Sequence, residues 1–337
     1  MTAVTEAAHR RPRLGFAGVG WIGLNRLQAV AAANTADIVS VTDICADSAA
    51  RAVKVVEGAR VARSFDELLE EDLDGVVIAT PSGLHAQQTI AALERGRAVF
   101  CQKPLARNVL ETAMAVETAR RRDRLLAVDF CYRTVAGVAQ LAELARSGAI
   151  GEIFAADLIF HNAYGPDKPW FYDLEQSGGG CVMDLGIHLI DLLLMVMSYA
   201  PLCGVRSRLY AAGKLLAKPI AQLEDHALAE IEFANGATAR VACSWRLSAG
   251  QDAIIEASFY GTRGAVMLRN VGGSFYDFVV EHCEGTRRHI LASGPDAWGG
   301  RAVNSWALQL AAAPRFDPES ARLQDVSRVV DALYGRL

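Results

Sequence analysis

Short, wholly apolar runs alternate with helical periodicity through the first 130 residues. RLGFAG (13–18), DIVSVTD (37–43), GVVIAT (75–80), AVFCQ (98–102) and LLAVDF (125–130) read as five strands covered on both faces. Helical patterns fall between them at about 22–33, 46–57, 85–95 and 109–122, with a further helix opened by the capping pattern Ser64-x-x-Glu67. Strands and helices in this alternation predict βαβ units and a parallel sheet. Past residue 150 the period changes. GEIFAADLIFHN (151–162), EDHALAEIEFANG (224–236), ATARVACSWRL (237–247) and AIIEASFYGTRG (253–264) read as longer strands, continued by AVMLRN (265–270), SFYDFVVEHC (274–283) and RRHILA (287–292). Turns at Asn235-Gly236 and Gly261–Gly264 join them as hairpins. One helix, 181–197, is inserted early, and helices at about 303–313 and 320–337 close the chain. The expected fold is an α/β Rossmann domain over 1–130, with 1–12 a disordered tail, followed by an α+β domain over 131–337 with a large, mostly antiparallel open sheet.

The first strand runs into Gly18-Val19-Gly20-Trp21-Ile22-Gly23, a GxGxxG between a strand and a helix. Asp43 ends the next strand, twenty residues after Gly23, the spacing of the dinucleotide fingerprint. Gly18 permits the tight turn, Gly20 lets backbone approach a pyrophosphate at the helix N-terminus, and Gly23 allows close helix–strand packing. Asp43 is suited to a ribose 2′-hydroxyl and repels a 2′-phosphate, which favours NAD over NADP. Ile44 follows it. Two more stretches sit at strand ends, where open α/β sheets bind ligands. They are Thr80-Pro81-Ser82-Gly83-Leu84-His85 and Gln102-Lys103-Pro104.

In the second half, Ser177-Gly178-Gly179-Gly180 precedes a helix on which Asp184, His188 and Asp191 stand at i, i+4 and i+7. Three polar residues on an otherwise greasy stripe need partners or a function. One metal ion does not suit them, because i to i+7 spans about 10.5 Å of helix. A core histidine held by its aspartate is one reading. A general acid/base, His188 positioned by Asp184, is the other.

Composition narrows the field. The 337 residues are 52% hydrophobic with a net charge of −4, so the chain can bury a core and lacks the basic face that nucleic acid requires. The seven scattered cysteines contain no CxxC pair, which fits a reducing cytoplasm. The first residues lack the apolar segment of a signal peptide. The apolar run 185–203 carries His188 and Asp191 and reads as a buried helix, not a membrane span.

AGVGWIG (17–23), TPSGLH (80–85), QKP (102–104) and SGGGCVMDLGIHLID (177–191) together resemble the Gfo/Idh/MocA oxidoreductases, a family that includes inositol and sugar dehydrogenases. The resemblance implies a Rossmann domain and a C-terminal domain whose open sheet forms homodimers or homotetramers. It also implies a catalytic set of Lys103, Asp184 and His188, with Gln102 at the nicotinamide ribose. Two positions depart from the family. Gln102 stands where Glu is usual and lacks the charge that would help keep Lys103 protonated. Trp170-Phe171 stands where Trp-Arg is usual. Tyr132, Arg133, His161, Lys168 and Trp170 are the expected substrate contacts, suited to a sugar or polyol, with Arg133 and Lys168 alternatively placed for a phosphate or carboxylate. The expected activity is NAD-dependent hydride transfer at a secondary alcohol or ketone. The alternatives are an NAD-dependent glycosidase working by oxidation and elimination, and a non-catalytic NAD-responsive binding protein.

Overall fold

The computed structural model describes residues 10–337. The first sheet contains β1 (Arg13–Ala17), β2 (Asp37–Thr42), β3 (Arg60–Val61), β4 (Gly75–Ile78), β5 (Ala98–Cys101) and β6 (Leu126–Val128). Its order is β3-β2-β1-β4-β5-β6 and every pairing is parallel, the doubly wound arrangement of dinucleotide-binding folds. Its connecting helices are α1 (Trp21–Ala33), α2 (Ala46–Val55), α3 (Phe65–Glu70), α4 (Ser82–Glu94) and α5 (Val109–Arg122). The predicted cap is present: Ser64 Oγ accepts from the Glu67 amide at 3.1 Å. The two-residue β3, whose side chains are exposed, carries no apolar run and was not expected.

The disordered tail expected over 1–12 does not hold for its last three residues. Arg10 pairs with Asp74, Arg11 with Asp37, and the Pro12 carbonyl accepts from the Asp37 amide. Residues 1–9 of that expectation lie outside the described residues.

The second half holds α6 (Val138–Arg146), β7 (Ile153–Asn162), α7 (Leu174–Ser177), α8 (Ile187–Val196), β8 (Leu202–Ala211) and β9 (Lys214–Leu215). It continues with β10 (His226–Phe233), β11 (Thr238–Ser244), β12 (Ala253–Gly261), β13 (Ala265–Asn270), β14 (Phe278–Glu284) and β15 (Arg287–Gly294). These strands form one nine-stranded sheet, ordered β15-β14-β13-β12-β7-β11-β10-β8-β9. It is antiparallel except where β7 runs parallel to β11. β8 and β9 are not foreseen in the sequence, because Leu209 is the one buried residue of β8 and the strand has no apolar run. The inner face buries Leu158, Phe160, Val241 and Ile255 against α8, itself buried along nearly its whole length, while β13 packs on α6.

After β15 the chain returns to the first sheet. Helix α9 (Arg301–Ala312) puts Val303, Trp306 and Ala307 into the core made by Leu14, Phe16, Val77 and Phe100. Trp306 lies 5.6 Å from the Phe100 ring. The first unit therefore draws core residues from beyond 300 as well as from before 130, unlike the division expected from sequence. Helix α10 (Leu323–Tyr334) packs on α5, α8 and β8.

Candidate functional site

A cleft of about 1980 Å³ opens at the carboxyl ends of the parallel strands and is closed on the far side by loops of the second half. Its floor begins at the glycine turn. Gly18 has φ +82° and packs under Ala79. A Cβ on Gly23 would lie 2.0 Å from the Gly18 carbonyl oxygen, so no side chain fits between helix and turn. A Cβ on Gly20 would meet nothing within 4 Å. Gly20 also caps α1 without offering a side chain to the first-turn amides. Open space in front of uncapped helix amides is what an anionic pyrophosphate needs. Asp43 stands beside it. Its Oδ2 accepts from the Val19 amide and its Oδ1 from the Cys45 amide, each at 2.8 Å. The carboxylate is thereby fixed, with lone pairs left for a ribose. Trp21 and Ile44 are exposed at the rim, and Ile22, Thr80, Pro81, Gln102 and Lys103 line the same cleft. These residues fit a bound NAD.

His85 also borders the cleft, but its ring is 1% exposed and sits between two carbonyls. Nδ1 is 2.6 Å from the Pro104 oxygen and Nε2 is 2.7 Å from the Thr80 oxygen. The ring sits between the two strand-end loops, and its single N–H when neutral can donate to only one of the two carbonyls.

The expected catalytic groups come from both halves. Lys103 Nζ donates to Oδ1 and to the main-chain oxygen of Asp184, each at 2.8 Å. The second carboxylate oxygen of Asp184 accepts from Trp245 Nε1 at 3.0 Å. Asp184 therefore holds the lysine, not His188 as the i, i+4 spacing predicts. The reason is local: residues Val182–Gly186 form a wider π-helical turn before α8 begins, which breaks the α-helical stripe. His188 lines the cleft at 7% exposure, and its Nδ1 is buried without a partner among the described residues. Burial, reinforced by the positive charges of Lys103 and Arg26, pushes its pKa well below the ordinary histidine value. The ring is neutral at neutral pH and is backed by Tyr132, whose centroid lies 4.8 Å away.

The turn that carries Asp184 is braced from behind. Glu224 accepts from the amides of Gly180 and Val182 at 3.0 and 2.9 Å and from the Tyr334 hydroxyl at 2.9 Å. Cβ atoms on Gly179 and Gly180 would lie 2.1 Å from the Tyr334 hydroxyl oxygen and 1.9 Å from the Glu224 carbonyl oxygen. This glycine run is a packing device.

Of the expected substrate contacts, Tyr132, Lys168 and Trp170 line the cleft, and Lys168 is paired with its neighbour Asp167 at 2.7 Å. Arg133 does not. Its guanidinium is spent on Asp191, which is 1% exposed, and on the Tyr199 hydroxyl. His161 is likewise not a cleft residue. The pleat of β7 turns it to the outer face of the sheet, where Nδ1 meets Ser244 Oγ at 2.8 Å. The next residue, Asn162, borders the cleft instead. Arg26, Asp129, Tyr276 and Trp298 are further lining residues that sequence reasoning missed. Arg26 and Asp129 lie inside motif-bearing segments, but Tyr276 and Trp298 lie on loops without a motif.

Comparisons with known proteins agree with this architecture. Residues 13–130 match the oxidoreductase family, NAD-binding Rossmann fold, and residues 138–267 match the GFO/IDH/MocA C-terminal domain. Inositol 2-dehydrogenase 3 of Saccharopolyspora erythraea is 28% identical over 317 residues, covering 87% of this chain and 90% of that one. D-glucoside 3-dehydrogenase of Escherichia coli is 29% identical over 60% of each chain. Among solved structures, levoglucosan dehydrogenase in complex with NADH superposes with a TM-score of 0.82 at 21% identity, covering 96% of both chains. The chain is a member of the GFO/IDH/MocA family of NAD-binding oxidoreductases.

Proposed function

We propose that this protein is an NAD-dependent dehydrogenase acting on a secondary alcohol of a neutral sugar or cyclitol, or on the corresponding ketone. The observation that carries this reading is the meeting of Lys103, fixed by Asp184, with a neutral His188 in the cleft beside the dinucleotide turn. The nicotinamide supplies the hydride acceptor. Asp184 takes two of the three N–H bonds of Lys103 and leaves one for a substrate oxygen. That remaining bond, with the positive charge, stabilises negative charge growing on the oxygen. Neutral His188 takes the hydroxyl proton.

Neutrality of the substrate follows from the pairing of the nearby cations. Lys103 and Lys168 each face an aspartate, and Arg133 is withdrawn onto Asp191. Trp170, Tyr132 and Asn162 leave aromatic faces and an amide for a polyol. The relatives named for inositol and glucoside oxidation support the same class. Asp43 supports NAD over NADP.

The outer face of the nine-stranded sheet, where Leu228 alternates with the buried Ala227 and Ala229 and is exposed, is the surface through which two copies would join. Seven free thiols suit a reducing cytoplasm.

The test is NADH formation at 340 nm across neutral and phosphorylated sugars and cyclitols, with NAD and with NADP. Turnover of a neutral polyol with NAD supports the assignment. Glycoside hydrolysis without net NADH, or tight NAD binding with no turnover of any compound, would overturn it.

A further inference from the structure

Gln102 raises a problem that the structure resolves. An amide at this position can point either its oxygen or its nitrogen into the cleft, and a ribose hydroxyl needs a defined partner. The Gln102 Nε2 donates to Asp129 Oδ2, and Arg26 Nε donates to that same oxygen at 2.6 Å. A carboxylate only accepts, so the amide end facing it must be the NH₂. The carbonyl oxygen Oε1 is therefore left as the free end of Gln102, which lines the cleft. All three side chains are sealed, with Arg26 4%, Asp129 0% and Gln102 6% exposed. Their arrangement is also not the cheapest one for stability alone. Asp129 Oδ1 is buried with no partner among the described residues, and an orphaned buried oxygen is costly.

We propose that Asp129 is a positioning residue for the cofactor: with Arg26 it turns the Gln102 amide so that an acceptor oxygen, as a glutamate would offer, faces the nicotinamide ribose. The acid stands at the end of β6 instead of the end of β5, and it borders the cleft beside the amide. This rests on the NAD-dehydrogenase reading. It has a consequence that runs against intuition. The substitution Gln102→Glu sets two carboxylates against each other in a sealed space with one arginine between them.

The experiment is a reciprocal exchange. Gln102→Glu, Asp129→Asn and the double variant are compared for NAD⁺ dissociation constant by calorimetry, for ADP binding, and for apo thermal midpoint. Each single variant should weaken NAD⁺ binding about tenfold, the equivalent of one hydrogen bond, and Gln102→Glu should lower the midpoint. The double variant moves the amide to position 129 and the carboxylate to position 102, so the NH₂ still has an acceptor to face, and it should recover most of the affinity. ADP, which has no nicotinamide ribose, should bind all of them alike. If a single variant fails to fold, Gln102→Met gives the answer, since it leaves the Arg26–Asp129 pair intact. It should weaken NAD⁺ and spare ADP and the midpoint. Wild-type NAD⁺ affinity in Gln102→Glu or Gln102→Met, or losses in the double variant that simply add, would refute the role of Asp129. Failure of the wild-type protein to bind ADP would instead refute the dinucleotide site itself.

Discussion

The ammonium of Lys103 is clasped by one residue, Asp184, through both its main-chain oxygen and its carboxylate, at 2.8 Å each. A lysine and an aspartate joined in this way behave as one unit, and their losses should not add. Lys103→Ala should lower kcat by about 10²–10³ while NAD⁺ binding persists. Asp184→Ala should cost a similar amount, and the double variant little more than either. Steady-state rates with calorimetric NAD⁺ binding check this. Independent, multiplying losses would contradict it.

His188 predicts a pH dependence whose sign is fixed by its burial. The folded protein keeps the ring neutral, whereas the unfolded chain takes up a proton below about pH 6.5. The unfolded state then binds more protons, so stability falls as the pH drops below that value and is independent of this group above it. His188→Phe should reduce the loss of urea midpoint between about pH 7.5 and 5.5. Some slope remains from His85, which burial shifts in the same direction. The same variant should lose about 10²–10⁴ in turnover.

Two glycines three residues apart should respond in opposite ways. Gly20→Ala adds a methyl into open space, so the thermal midpoint should hold while NAD⁺ affinity drops. Gly23→Ala drives a methyl into the Gly18 carbonyl oxygen, so the fold itself should suffer. Apo thermal melts beside NAD⁺ titrations separate the two.

Asp43 holds the glycine turn through the Val19 amide and is the expected partner of a ribose hydroxyl. Asp43→Ser should weaken NAD⁺ about tenfold and narrow the preference over NADP⁺, since Arg51 and Arg63 line that end of the cleft and would then face a 2′-phosphate without an opposing carboxylate. The ratio of kcat/KM for the two cofactors is the measurement. An unchanged ratio would remove Asp43 as the selector.

The first sheet was legible because buried parallel strands are apolar on both faces and glycine punctuates them. The strand-end motifs were legible for the same reason: a turn needing positive φ at Gly18 and close packing at Gly23 leaves a trace in sequence. What failed depended on contacts distant in the chain. β8 has a part-exposed face and little apolar signal. His161 was misplaced by one residue, which in a strand moves a side chain to the opposite face. Arg133 looked available until Asp191, nearly sixty residues later, claimed it. The pairing of Asp184 with Lys103 depended on a π-helical turn that no periodicity announces.

The brace behind the reacting turn has a temporal meaning. Asp184 is held in register by Glu224, and Glu224 is held by Tyr334 at the end of α10. During synthesis the dinucleotide half emerges early, yet the geometry around Lys103 waits for the closing helix to dock. Turnover in this protein thus reports a finished fold, since the first sheet is closed by α9 and the turn that carries Asp184 is braced from α10.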